Sequence, residues 1–349
     1  MKVSIIIFCI CGLLSCHSVR VIQNTDEPLF RFVILADSRG NYKADPPKII
    51  AEEILGEITQ KIISLSPIPD FVIFNGDMVA KTAYRGNSDA VEKWKNVFLK
   101  PVRDKNISVF VTPGNHIIDQ KAVKNDDPMK YISLFREHFQ ADNPINGPEK
   151  YKGVTYSFNR ENCHFVTATS FTTHRGQDNR DLPSEDFAQK KKDFEYLINK
   201  ENRDWLLKDL REDDSDFTIF FTHVSLFAVG PHYKDMLSMH AHKKERDMLA
   251  DILINNETDL YIGAHEHLYA RTLLTPSNPL YSGLKGDLIQ IVVGSSGAPL
   301  SEKPKRDDMI FEKYVTDYQF LVADVGKNKI EFSVYNDKNN EIDSFTIRK

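Results

Sequence analysis

Short bulky apolar runs recur along this chain, and several stop where a residue with metal-binding or acid–base chemistry begins. Arg31 to Ala36 (RFVILA) reads as a first strand ending at Asp37-Ser38-Arg39-Gly40. Past Pro46 and Pro47, Lys48 to Leu65 carries Ile50, Leu55, Ile58, Ile62 and Leu65 at helical spacing. In FVIFNGDMV, Phe71 to Val79, a buried strand passes through Gly76 and presents Asp77 where the strand hands over to a loop. Strand, loop, helix and strand make a βαβ unit and hence a parallel sheet, and α/β proteins put their chemistry at such strand ends. A helix over Ala90 to Leu99 and a strand over Ser108 to Val111 then deliver Pro113-Gly114-Asn115-His116.

The second half repeats the theme. After a helix over Pro128 to Phe139, Tyr156 to Phe158 and Cys163 to Ala168 pair as strands turning through Asn162. Thr172 to Lys192 is polar without an apolar period and reads as a long surface loop. A helix over Asp204 to Leu210 precedes the strand Phe217 to Phe221, which ends at Thr222-His223. A polar stretch with His232, His240 and His242, expected to be solvated unless this loop beside His223 lines the substrate cleft, leads into a helix from Lys243 to Ile254. The strand Leu260 to Ile262 then delivers Gly263-Ala264-His265-Glu266-His267. Beyond it only strands follow, over Leu288 to Val293, Gln319 to Ala323, Lys329 to Val334 and Ser344 to Ile347. The pattern predicts one α/β domain built on two sheets.

Composition narrows the class. At 349 residues, 41% hydrophobic and 27% charged, the chain can bury a proper core, and its net charge of -5 supplies no basic stripe for nucleic acid. Cys9, Cys11 and Cys16 crowd the N-terminus and leave Cys163 alone in the body, so no disulfide framework exists there. Residues 1–16 pair Lys2 with an apolar run to Leu14 that is too short to span a bilayer, and read as a secretory signal. Leu13-Leu14-Ser15-Cys16 resembles the lipobox of bacterial lipoproteins, which implies export across the inner membrane and acylation of Cys16; an ordinary signal peptide cut nearby is the alternative. Residues 17–28 are then a polar tether, and 29–349 the folded domain.

Asp37, Asp77, Asn115 with His116, His223, and His265 with His267 each follow an apolar run. Carboxylate, amide oxygen and imidazole together suit first-row metals. The motifs ADSRG, NGDMV, PGNHI, FFTHVSLF and GAHEHLYAR resemble the calcineurin-like metallophosphoesterase superfamily. The last three, with WLLKDL from Trp205 and GSSGAP from Gly294, look most like its purple acid phosphatase branch. The resemblance implies a four-layer sandwich of two mixed β-sheets flanked by helices. It makes Asp77 the bridge between two divalent or trivalent ions (Fe, Mn or Zn), Asn115, His223 and His265 the remaining ligands of one, and Asp37 and His267 ligands of the other. His265 and His267 are two apart, so an extended segment would point both to one side. His116 would be the general acid toward the leaving oxygen, or else an electrostatic partner of the phosphate, and a metal-bound hydroxide the nucleophile.

Two positions depart from the family. Arg39 stands where the broad family has a histidine, and a guanidinium cannot ligate a metal. Purple acid phosphatases supply a tyrosine three residues after the GD aspartate, and here that residue is Ala80. The Asp37–His267 site is thus one ligand short, its metal expected to be weakly held or completed by water, Asn41, Tyr42 or Tyr84, with Arg39 a candidate phosphate-binding residue or a surface ion pair. Ile117 follows His116 where an acidic residue is usual, with Asp119 the candidate substitute. The expected function is hydrolysis of phosphate monoesters, with diesters open, on a small or macromolecular substrate. The alternative is a catalytically weakened surface protein that binds a phosphate ligand or a partner. Nucleic acid is not expected as a scaffold, nor membrane except through the lipid anchor.

His265-Glu266-His267 lacks the spacing of four that a helical zinc-protease pair needs, and GSSG does not satisfy G-x-S-x-G. Arg271 is expected in packing or a salt bridge, and Cys163 as a small buried apolar residue.

Overall fold

The computed structural model describes residues 27–41, 43–44, 48–80, 88–116, 128–139, 141–171, 173–174, 194–195, 197–234, 238–302 and 308–349. The signal sequence and Cys16, Tyr42, Tyr84, Ile117, Asp119 and most of the Thr172–Lys192 stretch lie outside them.

In chain order, β1 (Phe30–Leu35), α1 (Glu52–Ile62) and β2 (Phe71–Phe74) form the βαβ unit. There follow α2 (Ser88–Trp94), a π-turn over Lys95–Leu99, α3 (Lys100–Arg103), β3 (Ser108–Val111) and α4 (Pro128–His138). The hairpin β4 (Tyr156–Arg160) and β5 (Cys163–Thr167), the short pair β6 (Thr173–His174) and β7 (Phe194–Glu195), α5 (Lys200–Glu212) and β8 (Phe217–Phe221) come next. The chain closes with α6 (Lys243–Asn255), β9 (Leu260–Gly263), β10 (Tyr269–Leu274), β11 (Leu288–Val293), β12 (Lys313–Val315), β13 (Gln319–Val325), β14 (Lys329–Asn336) and β15 (Glu341–Arg348).

These strands build two mixed sheets. One runs β15-β14-β13-β1-β2-β3 and the other β12-β10-β11-β9-β8-β5-β4, with β1–β2–β3 and β11–β9–β8–β5 parallel. Strand alternation sorts the side chains. Phe30, Phe32, Ile34, Phe71 and Ile73 meet Phe165, Ile219, Phe221, Ile262 and Ile291 between the sheets, with Phe32 stacked on Phe71 at 5.4 Å. Val33, Leu35, Val72 and Phe74 face the other way, onto Leu55, Ile58, Ile62, Trp94 and Phe135 of the helices. Leu206, Leu210, Leu249 and Leu253 of α5 and α6 cover the outer face of the second sheet. The result is the expected four-layer αββα sandwich, and Cys163 is a buried free thiol within it.

Several boundaries differ from expectation for identifiable reasons. Helix α1 begins at Glu52, not Lys48, because Ile50 pairs with Arg39 as an isolated bridge and the Ile49 carbonyl accepts from Gly40 and Ala80. Helix α5 begins at Lys200 because the Asn199 side chain caps it, accepting from the Asn202 N–H at 3.0 Å. Within the stretch read as loop, Thr173 and His174 pair with Glu195 and Phe194. Strands β10 and β12 were not expected at all, since β10 begins directly after the His267 motif and carries a half-buried Arg271.

Candidate metal centre

Five strand ends converge on one buried pocket, where β1, β2 and β3 of the first sheet meet β8 and β9 of the second. Asp37, Asp77 and His265 all turn there with positive φ, of 55°, 49° and 69°. That region is uncommon for non-glycine residues and costs about 1–3 kcal/mol each. Close approach at two glycines makes the turns possible. A Cβ on Gly76, itself at φ 92°, would lie 2.3 Å from His223 Nδ1, and one on Gly114 would lie 2.1 Å from Asp77 Oδ1.

The two carboxylates are held alike. Asp77 Oδ1 accepts from the backbone N–H of His116 at 2.8 Å, and Asp37 Oδ2 accepts from that of His265 at 3.0 Å. The other oxygen of each, Asp77 Oδ2 and Asp37 Oδ1, is buried without a hydrogen-bond partner among the described residues. Two buried anionic oxygens facing one pocket are costly unless a cation neutralises them. Asp37, Asp77 and His223 offer ligand atoms all within 4.8 Å of one another.

Around Asp77, the Asn115 Oδ1 lies 3.2 Å from His223 Nε2 and 2.8 Å from His265 Nδ1, while His223 Nε2 lies 3.6 Å from Asp77 Oδ2. The far nitrogen of His223, Nδ1, donates to the Asn75 carbonyl at 2.8 Å, which aims Nε2 at this cluster. One carboxylate, one amide oxygen and two imidazoles form a donor set that fits a first-row metal ion. Burial alone would lower the His223 pKa, but the Asp77 and Asp37 carboxylates outweigh it and raise it to about 9. Burial would likewise raise the pKa of Asp77, which the charges of His223, His116 and Arg39 drive far below the carboxylate range instead.

The other half of the pocket is composed differently. His267 donates from Nδ1 to the Pro299 carbonyl at 2.7 Å and turns Nε2 to within 3.5 Å of Asp37 Oδ1. Arg39 reaches His267 and Asp77, with Nη2 at 3.3 Å from His267 Nε2 and Nε at 3.8 Å from Asp77 Oδ2. Its side chain is 14% exposed, so the guanidinium lies largely inside the pocket. Ala80 is buried and has no side-chain ligand atom to offer. His116 Nε2 stands at the rim, 4.0 Å from Asp77 Oδ2, and burial lowers its pKa to about 4.

The segment that carries His265 and His267 is not extended. Glu266 N–H donates to Ala264 and Leu268 N–H to Glu266, two successive three-residue turns. These split the two imidazoles between the two halves of the pocket and send Glu266 to the opposite side. There its carboxylate is buried, and burial raises its pKa. His232, expected to be solvated, stacks on the His265 ring with centroids 4.1 Å apart, and its backbone N–H donates to Glu266 Oε2 at 3.5 Å. The position of this loop beside His223 allowed for a place at the cleft, but its polar pattern did not single out this contact. His240 lies away from the cluster, its ring edge-on to Phe227 at 5.9 Å.

Comparison with known proteins concerns the fold and the family. No curated protein matches the chain by sequence. Among solved structures, purple acid phosphatase PPD1 from yellow lupin (Lupinus luteus) superposes with a TM-score of 0.67 at 18% identity, covering 91% of this chain and 53% of that one. PhoD gives 0.62 at 10% identity, covering 91% and 72%. A dimetal phosphatase from Danio rerio gives 0.55 at 14% identity, covering 92% and 99%. The chain thus spans about half the length of the lupin enzyme, and these likenesses concern the fold. The family model for calcineurin-like phosphoesterases matches residues 30–269, from the first strand through the His267 motif, and the chain belongs to that family.

Proposed function

We propose that this protein hydrolyses phosphate monoesters, with diesters as a second substrate class, at the pocket centred on Asp77. The observation that carries the reading is the convergence of Asp77 Oδ2, Asn115 Oδ1, His223 Nε2 and His265 Nδ1, with Asp77 Oδ2 and Asp37 Oδ1 both buried without a hydrogen-bond partner among the described residues. Those four residues would hold a metal ion, which when bound polarises phosphate oxygens and lowers the pKa of water toward about 7.

The chain's own residues do the rest. The backbone bonds to Asp37 and Asp77 and the Asn75 bond to His223 hold the donors in place before any ligand arrives. His116, at the rim beside Asp77, presents its ring toward the leaving oxygen. As a neutral imidazole it donates a hydrogen bond, and the negative charge of a bound phosphate favours the protonated form that acts as general acid. Arg39 supplies a fixed positive charge facing the same anion. Export and acylation at Cys16 would put this activity at the cell envelope, and the mass of the mature N-terminus tests that part.

Assays with p-nitrophenyl phosphate and bis(p-nitrophenyl) phosphate, on protein loaded with Mn, Fe or Zn, test the reading alongside Asp77→Asn and His223→Ala. Activity is expected to fall by about two orders of magnitude or more in both variants; unchanged rates in both would sink the mechanism. A second reading, a phosphate-binding or partner-binding module with weakened turnover, rests on Arg39 and on Ile117 in place of an acidic residue. It predicts no turnover of either substrate by the metal-loaded wild type.

A further inference from the structure

We propose that the Arg39 guanidinium stands in for the second metal ion of the family's site, so that the working pocket holds one metal ion beside a fixed organic cation. This rests on the phosphoesterase reading and concerns only how the positive charge of that site is supplied.

The two halves of the pocket differ in what they can bind. Around Asn115, His223 and His265 every contributing side chain ends in a ligand atom. On the Asp37 and His267 side, the Nδ1–H of His267 is committed to Pro299, which leaves Nε2 as the acceptor. That acceptor already faces Arg39 Nη2 at 3.3 Å, while Arg39 Nε lies 3.8 Å from the shared carboxylate oxygen of Asp77. The guanidinium thus meets two of the three groups that a second ion would need, and it cannot itself ligate a metal.

No described neighbour makes up the missing ligand. Ala80 carries only a methyl group, and Asn41 is exposed with its Oδ1 turned to the Lys43 N–H at 3.1 Å. Nor is the arginine on a loose loop. Its backbone N–H donates to the Asp77 carbonyl at 3.2 Å and it bridges to Ile50. The next residue, Gly40, packs so tightly that a Cβ there would lie 2.5 Å from the Lys48 carbonyl oxygen. A second divalent ion would have to compete with a resident cation for His267 Nε2 and sit against its charge. The arginine contributes what such an ion would in part supply, a permanent positive charge with N–H donors suited to phosphate oxygens.

Metal content decides the matter. Wild-type protein loaded with Mn²⁺ or Zn²⁺ and passed through gel filtration is expected to carry about one ion per chain by elemental analysis. Arg39→His, which returns an imidazole to that position, is expected to carry about two at an unchanged melting temperature. Two ions per chain in the wild type would overturn the inference and leave the phosphoesterase reading intact. No bound ion in the wild type would overturn both. A folded Arg39→His protein still holding one ion would show that Arg39 is not what limits the site. Should that variant fail to fold, electron paramagnetic resonance of the Mn²⁺-loaded wild type gives an independent answer. An isolated six-line signal is expected, and a spin-coupled pair would refute the assignment.

Discussion

The side chain of Asn75 donates to the Thr222 carbonyl at 2.9 Å, directly beside the residue whose imidazole bonds back to Asn75's own carbonyl. With a second contact to the Ile262 carbonyl at 3.3 Å and a bond from Thr112 Oγ1 at 2.8 Å, this one buried amide joins the ends of β2, β3, β8 and β9. The strands that deliver Asp77, Asn115, His223 and His265 therefore share a hub whose side chain bonds to Thr222, Ile262 and Thr112.

Asn75→Ala is accordingly expected to cost about 2–4 kcal/mol, because it leaves buried carbonyls and a hydroxyl without partners. It should also weaken Mn²⁺ binding by about 10-fold, as loss of an outer-shell support does. Asn75→Asp should be worse at neutral pH, since it replaces the donor with a charge facing carbonyl oxygens. Thermal unfolding and chelator competition measure both effects. A melting temperature within a degree of wild type for Asn75→Ala would show that the hub is not structural.

The stacked pair His232 and His265 yields a separate prediction. The ring of His265 must present Nδ1 to the Asn115 side, and the face-to-face contact at 4.1 Å restrains its rotation. Removing the stack with His232→Ala should raise the Mn²⁺ dissociation rate by about 10-fold, whereas His232→Phe, which keeps a ring there, should stay within a few-fold of wild type. Stopped-flow release into a chelator reads the difference. Equal rates for the two variants would mean that stacking plays no part in holding His265.

How much of this was legible in the sequence follows from how each residue is placed. Asp37, Asp77, Asn115, His223, His265 and His267 could be read because each follows an apolar run, and parallel strands bring such ends together. Asn75 was hidden in plain view, since an amide inside NGD looks like part of a strand end and its partners lie 147 and 187 residues away. His232 sits in a polar segment whose pattern says only that it is not a strand. Glu266 could be dismissed as a protease signature, but its burial depends on turns that alternation does not encode. For Arg39 the sequence posed the right question and stopped, because a charge at a ligand position can point inward or outward and only the packing of Gly40 and Ile50 turns it in.

The two sheets are also tied across the core by a charge cluster whose strength can be tested. Asp343 of β15 in the first sheet accepts from Tyr269 Oη at 2.7 Å and from Arg271 Nε at 2.8 Å, both on β10 of the second. Arg271 also pairs with Glu312 and lies over the Phe345 ring at 4.8 Å. Asp343 is 8% and Arg271 16% exposed, so the pair is largely shielded from water. Asp343→Ala would leave the guanidinium and the tyrosine hydroxyl short of an acceptor and is expected to cost about 3 kcal/mol. Replacing both partners, Asp343→Ala with Arg271→Met, should cost less than the sum of the single changes, because the second substitution removes the charge that the first strands. Denaturant unfolding of the four proteins gives the coupling energy directly. Strict additivity would show that Arg271 finds full compensation in Glu312 alone, and metal content should be unchanged throughout because none of these residues lies among the candidate ligands.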